Sequence, residues 1–274
     1  MSRLSPLLLT LRRDPRYGEL SDAILIERGS LHRGLGRTVI LVHGFNNSRR
    51  DAKRSFESFT RHLPPLPVKD QLSYLFWPSD FQQREWSSYG LAVERAKECG
   101  PRLANFIEGL DSNSIVLIGH SLGSRVILEA LRVAPSRVRQ RVSVYLLAAA
   151  VPTTFLHAGA RLEAGVTDAA AKVAFFSSRD CILRWTFPVG QARAHEGWRT
   201  EAVGLRGHPI GLWKPGFPDA GLDHSGYWSS HGIANAVARG MQLRAPPFRT
   251  RHLSTRTVPH CVRVLARRVI PHRG

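Results

Sequence analysis

Short, unbroken apolar runs, each followed by a longer amphipathic stretch, constrain this chain's fold most strongly. Thr38-Val39-Ile40-Leu41-Val42 is one such run, ending at His43-Gly44, and residues 72–77, 115–118, 142–147 and 173–176 supply four more. They are too short for helices and lack the alternation of a half-exposed strand, so they read as strands buried on both faces. Between them, residues 48–63 place Ala52, Phe56, Phe59 and Leu63 at helical spacing before Pro64-Pro65. Residues 89–110 do the same with Leu91, Val93, Ala96, Leu103, Phe106, Ile107 and Leu110, with a possible bend at Gly100-Pro101. A helix is expected over 122–133, another over about 158–170, and a short one over 233–237. Residues 24–26 read as an antiparallel edge strand. Strands alternating with helices predict an α/β fold, a mostly parallel sheet with helices on both faces.

In such sheets the chemistry gathers at the carboxyl ends of the strands. There, after 115–118, stands Gly119-His120-Ser121-Leu122-Gly123, a G-x-S-x-G between an apolar strand and an amphipathic helix. The chemistry needs Ser121 on a strained turn so that its Oγ projects outward, and small flanking residues so that strand and helix can approach. The helix N-terminus then offers backbone N–H groups to a developing oxyanion.

A hydroxyl needs a base, and the base needs an orienting acid. Asp180 follows the 173–176 run, at a strand's carboxyl end, and His224 lies downstream ahead of the 233–237 helix. The order Ser121, Asp180, His224 is that expected for this fold. Asp168 precedes the strand and Asp223 adjoins His224, so neither reaches the imidazole easily. An ion pair of Asp180 with Arg179 or Arg184 is the structural alternative. His195 and His208 are competing bases, whereas His231 is expected to face outward. His43 is expected to organise its loop, and His120 to point away from the reacting centre. The oxyanion donors are assigned to the backbone N–H of Leu122 and of Phe45, with Asn46 as runner-up to Phe45. Trp77, Phe81, Trp86 and Trp185 either line an apolar acyl pocket, with Trp77 and Trp86 the favoured pair, or belong to the core.

The segments Val42-His43-Gly44-Phe45-Asn46-Asn47-Ser48, Phe76-Trp77-Pro78-Ser79, Tyr89 with its helix, and Gly119-His120-Ser121-Leu122-Gly123-Ser124-Arg125 together resemble an α/β-hydrolase. The likeness is to a poorly characterised bacterial esterase/lipase-like branch and spans residues 38–240. It implies a Ser–Asp–His triad, a covalent acyl-enzyme, no metal and no organic cofactor, and it supplies no substrate. The connection 148–172 is only about 25 residues, so little or no lid is expected.

Composition bears on partners and location. Lys+Arg number 39 against 21 Asp+Glu, a net charge of +18, and half of that excess lies in residues 239–274, which hold nine Arg and no acid. The expected division is a catalytic domain over 1–238 and a flexible Arg-rich tail over 239–274. Such tails are usually solvated, so a nucleic-acid partner is not expected. A weak contact of the tail with an anionic membrane surface, through the basic amphipathic stretch 262–270, stays open. Cys99, Cys181 and Cys261 form no CxxC, which argues against a disulfide framework or a structural zinc site. The apolar stretch 4–11 is interrupted by Pro6 and is short for a signal peptide, and no run approaches the roughly eighteen residues of a membrane span. These features predict a cytoplasmic serine hydrolase acting on a small-molecule ester. An acyltransferase with the same triad and a non-catalytic, hydrolase-like binding protein are the alternatives; oligomeric state is not legible.

Overall fold

The computed structural model describes residues 5–13, 19–31, 34–81, 88–198, 200–207, 213 and 218–243. Its centre is a seven-stranded sheet of β1 (Leu7–Arg12), β2 (Leu20–Arg28), β3 (Leu35–Val42), β4 (Asp70–Phe76), β5 (Ser112–His120), β6 (Val142–Leu147) and β7 (Ala171–Phe175). The strand order is β2-β1-β4-β3-β5-β6-β7. Every pairing is parallel except β1 with β2, so the antiparallel edge expected around residues 24–26 is present and longer. The fold is that of an α/β hydrolase, with the apolar runs forming its interior: Val39 to Val42, Ile115, Leu117, Ile118, Val142, Val144, Leu146 and Leu147 are fully buried.

Three long helices cover the sheet: α1 (Arg49–His62), α2 (Tyr89–Glu108) and α3 (Gly123–Val133). Ser48 caps α1 by accepting the Asp51 N–H, and Phe56 and Phe59 carry its buried face. α2 runs unbroken through Gly100-Pro101. Gly100 is needed there because a Cβ would stand 2.5 Å from that of Glu129, so α2 and α3 cross at the glycine. A last helix, His231–Gly240, packs on α1. Among the described residues no helix is long and apolar enough to cross a membrane.

Three expectations change. Residues 7–12 are not merely an apolar stretch but an interior strand, every residue of it buried. The helix expected over 158–170 shrinks to Glu163–Thr167, preceded by a turn at Thr153–Leu156. Gly159 sits at φ +75°, which a continuous helix cannot absorb. The boundary placed at 239 falls inside the last helix, and beyond it Met241 and Leu243 are buried while the Met241 carbonyl accepts from Arg37 at 2.8 Å. Packing therefore continues to residue 243. The rest of the basic tail, with 262–270, lies outside the described residues.

Candidate active site

β5 ends at His120 and α3 begins at Gly123, leaving Ser121 and Leu122 to make the turn. Ser121 takes φ +52°, a left-handed conformation that side-chain-bearing residues avoid. Main-chain bonds hold it there: its N–H donates to Leu147 at 2.9 Å, and its carbonyl accepts from Ser124 and Ala150, each at 3.1 Å. The flanking glycines are steric necessities. A Cβ on Gly119 would meet Ile127 Cδ1 at 2.7 Å, and one on Gly123 would meet the His43 carbonyl oxygen at 2.3 Å and that of Val42 at 2.6 Å. The strained, tightly packed turn expected from the sequence is what the structure contains.

Asp180 and His224 meet this turn. The Ser121 hydroxyl donates to His224 Nε2 at 2.9 Å, and His224 Nδ1–H donates to Asp180 Oδ2 at 2.7 Å, the tautomer that satisfies both partners. Asp180 is fully buried, just past β7, and its Oδ1 accepts the Leu183 N–H at 2.9 Å. Its carboxylate faces His224 and makes no ion pair with Arg179 or Arg184 among the described residues. The rivals lie elsewhere. Asp168 is held by Arg139 and Ser136, Asp223 accepts from Ser225 Oγ at 3.4 Å, and His195 is exposed. His208 lies outside the described residues. His231 is exposed and faces His62, with ring centroids 3.8 Å apart.

The loop after β3 lies against the same serine: a Cβ on Gly44 would stand 2.9 Å from Ser121 Cβ. The next residue is Phe45, so its backbone N–H belongs to the segment beside the hydroxyl. Asn46 is excluded as a donor because its N–H is committed to the Ser79 carbonyl at 2.9 Å. On the other side Leu122 precedes the first turn of α3, where N–H groups lack intrahelical acceptors and the helix dipole is positive.

Residues 29–178 match the family described as an alpha/beta hydrolase of unknown function (DUF900), more than half of the chain. The chain belongs to this α/β-hydrolase family. The matched stretch contains Ser121 and the 43–47 loop and stops two residues before Asp180. No curated protein matches the chain. Solved structures similar to it include a Trichoderma reesei cutinase in complex with a phosphonate inhibitor, at 17% identity, covering 62% of this chain and 68% of that one, TM-score 0.34. A Thermus thermophilus protein is similar at 15% identity over 77% and 90% of the two chains, TM-score 0.43. A cutinase-like protein from Cryptococcus sp. is similar at 12% identity over 79% and 100%, TM-score 0.38.

The aromatic assignments need correction. Trp77 is wholly buried and belongs to the core. Its indole N–H donates to the His43 carbonyl at 2.7 Å and its ring stacks on His43 at 5.7 Å. Its position directly after β4 turns it inward. Trp185 is 68% exposed and so is not part of the core, while Phe81 is half-buried against the core. Trp86 lies outside the described residues. Among the described residues no group of three or more His, Cys, Asp or Glu is arranged to hold a metal ion.

Two histidines near Ser121 are supports. His43 is buried, donates from Nδ1 to the Gly44 carbonyl at 3.0 Å and accepts the Trp77 N–H at Nε2 at 3.2 Å. Burial pushes its pKa down to about 3, with the Arg12 charge adding and the Gly44 hydrogen bond opposing. His120 donates from Nε2 to the His224 carbonyl at 2.8 Å, so the ring next to Ser121 in sequence anchors the backbone of the residue that meets Ser121 in space. Burial and the neighbouring His224 bring its pKa to about 3. The sequence placed His120 away from the reacting centre but carried no sign of this anchoring, because its partner is a carbonyl 104 residues away.

Proposed function

We propose that the chain is a serine hydrolase that cleaves a carboxylic ester or similar acyl bond through an acyl-serine intermediate. The observation carrying this reading is the continuous hydrogen-bond path Ser121–His224–Asp180, at 2.9 and 2.7 Å, on a serine held at φ +52°. His224 takes the Ser121 proton as Oγ attacks the carbonyl carbon, and Asp180 holds the imidazole in the required tautomer and stabilises the imidazolium. The N–H groups of Leu122 and Phe45 receive the oxyanion. Collapse expels the alcohol, which takes its proton from His224. Water then gives a proton to His224 and attacks the acyl-Ser121 carbonyl, releasing the acid and restoring the serine. The substrate is a small-molecule ester, and every group in this scheme comes from the chain, with no cofactor.

A fluorophosphonate probe tests it. Wild type is expected to be labelled and Ser121→Ala not, with kcat on a soluble nitrophenyl ester falling on the order of 10⁵–10⁶-fold in the variant. Equal labelling of the two proteins, or none of wild type, would refute the reading.

A further inference from the structure

β1 ends on Arg12, whose guanidinium is buried at the same end of the sheet as Ser121. Its Nη1 pairs with the Asp80 carboxylate at 2.6 Å, and its Nη2 donates to the carbonyls of Trp77 at 3.1 Å and Asn47 at 3.4 Å. Trp77 and Asp80 lie on the chain leaving β4, and Asn47 on the loop leaving β3. One cation therefore adds a third kind of tie between two loops also joined by the Trp77 bonds to His43, by the Asn46 N–H to Ser79 bond, and by the Ser79 hydroxyl, which lies 3.4 Å from His43 Nδ1 and 3.5 Å from the Asn47 carbonyl. The loop needs restraint. Asn46 is held at φ +54°, and the Asn47 side chain folds back to donate to the Phe45 carbonyl at 2.9 Å.

A buried guanidinium is a costly device for tying loops together unless its shape is used. Arg presents several N–H donors in a rigid plane, and here that plane meets a carboxylate and two carbonyls from separate segments. Displacing Asn47 moves Phe45 through two peptide links and the Asn47 side-chain bond. An oxyanion donor works only when its N–H points at the position the charged oxygen will occupy, within a few tenths of an ångström.

We propose that Arg12 is a positioning residue for the oxyanion loop, fixing the Phe45 backbone N–H beside Ser121 through the Asn47 carbonyl. The proposal rests on the hydrolase reading given above, in which that N–H receives the oxyanion. Arg12 itself touches no substrate. The consequence is specific: losing the fork misplaces a group that acts mainly in the transition state, so kcat falls while KM holds.

The test uses the full chain with Arg12→Met, Arg12→Lys and Asp80→Asn, and with Val144→Ala as a core control remote from the loop. Hydrogen exchange is followed at the amides of residues 44–47, alongside kcat and KM on a soluble nitrophenyl ester and thermal midpoints. In Arg12→Met, exchange at 44–47 should rise about tenfold or more, and kcat should fall about tenfold or more with KM within about twofold. Arg12→Lys keeps the charge opposite Asp80 but loses the planar fork, and should fall between. Val144→Ala should keep kcat within about twofold at a comparable loss of thermal midpoint. If Arg12→Met does not fold, Arg12→Lys and Asp80→Asn carry the same comparison. Unchanged exchange at 44–47, or unchanged kcat in the folded variants, would overturn the proposal and leave the hydrolase reading standing. An unlabelled wild type in the fluorophosphonate assay would instead remove the hydrolase reading, with the exchange measurement still deciding whether Arg12 anchors the loop.

Discussion

Lowering the pH from 7 to 5 should destabilise this protein through two buried histidines, and replacing one of them should remove about half of that effect. His43 and His120 both have pKa values near 3 in the folded protein, against 6.5 for an unperturbed ring. Burial is the main cause in each, because a charged imidazolium would lose its hydration. Between those values the unfolded chain carries a proton on each ring that the native state refuses. Falling pH therefore favours unfolding. The stability involved is complete above about 6.5 and declines until pH approaches about 3, where both states are protonated. Within that window each ring contributes about 1.4 kcal/mol per pH unit. From pH 7 to pH 5 that is roughly 2 kcal/mol per ring and roughly 4 kcal/mol for the pair, a large share of the total stability of an ordinary domain.

The variant to make is His120→Gln. The Gln Nε2 can donate to the His224 carbonyl as the His120 Nε2 does at 2.8 Å, so the anchor is kept while the titration is lost. Urea unfolding followed by tryptophan fluorescence at pH 7, 6 and 5 gives the stability of each protein. Carboxylates and exposed histidines titrate alike in both, so their contributions cancel in the difference. The variant should lose roughly 2 kcal/mol less than wild type between pH 7 and 5, with the urea dependence unchanged. Parallel losses in the two proteins would show that His120 does not titrate with folding, and the account of its burial would fail.

Asp180→Asn should keep the contact to His224 but favour the wrong imidazole tautomer, lowering kcat about 10⁴-fold while circular dichroism stays native; a loss under tenfold would remove Asp180 from the triad. Gly123→Ala forces a Cβ to within 2.3 Å of a main-chain oxygen that cannot swing away, and should cost about 3 kcal/mol in urea unfolding. A cost below about 0.5 kcal/mol would mean that α3 and β3 are not packed as described.

The parts of the fold legible in the sequence are those written in contiguous residues. β3, β5 and β6 show as apolar runs because burial on both faces demands apolar side chains at every position. The turn at Ser121 shows because strand, glycines and helix stand side by side. β1 was missed: its six residues are interrupted just upstream by Pro6, and what makes them a strand is β4, whose Ser73 pairs with Leu7. The helix expected over 158–170 is cut short by Gly159 at φ +75°, and Gly165 lies inside the short helix that remains, Glu163–Thr167. The second of these packs against the backbone of Arg132, where a Cβ would stand 2.6 Å from its N. Trp77 takes the less favoured of its two readings, the core, because an aromatic near a site looks the same in sequence whichever way it faces.

The residues around Ser121 that the sequence did not explain share one physical trait: each is held at least in part by main-chain atoms. His120 donates to the carbonyl of His224, His43 accepts the N–H of Trp77, and Arg12, besides its pair with Asp80, donates to the carbonyls of Trp77 and Asn47. Every residue but proline carries both groups, so a buried polar side chain satisfied by backbone leaves no complementary residue type to find elsewhere in the chain. Ser121, His224 and Asp180 satisfy one another through side chains, and their motif context, strand-end position and chain order are all written in the sequence. The scaffold that aims them is read from distances. Where the partner is a carbonyl its residue type is free: replacing Asn47 keeps a carbonyl for Arg12, though it loses the Asn47 side-chain bond to Phe45, whereas at position 12 the planar fork is what reaches two carbonyls and the Asp80 carboxylate together.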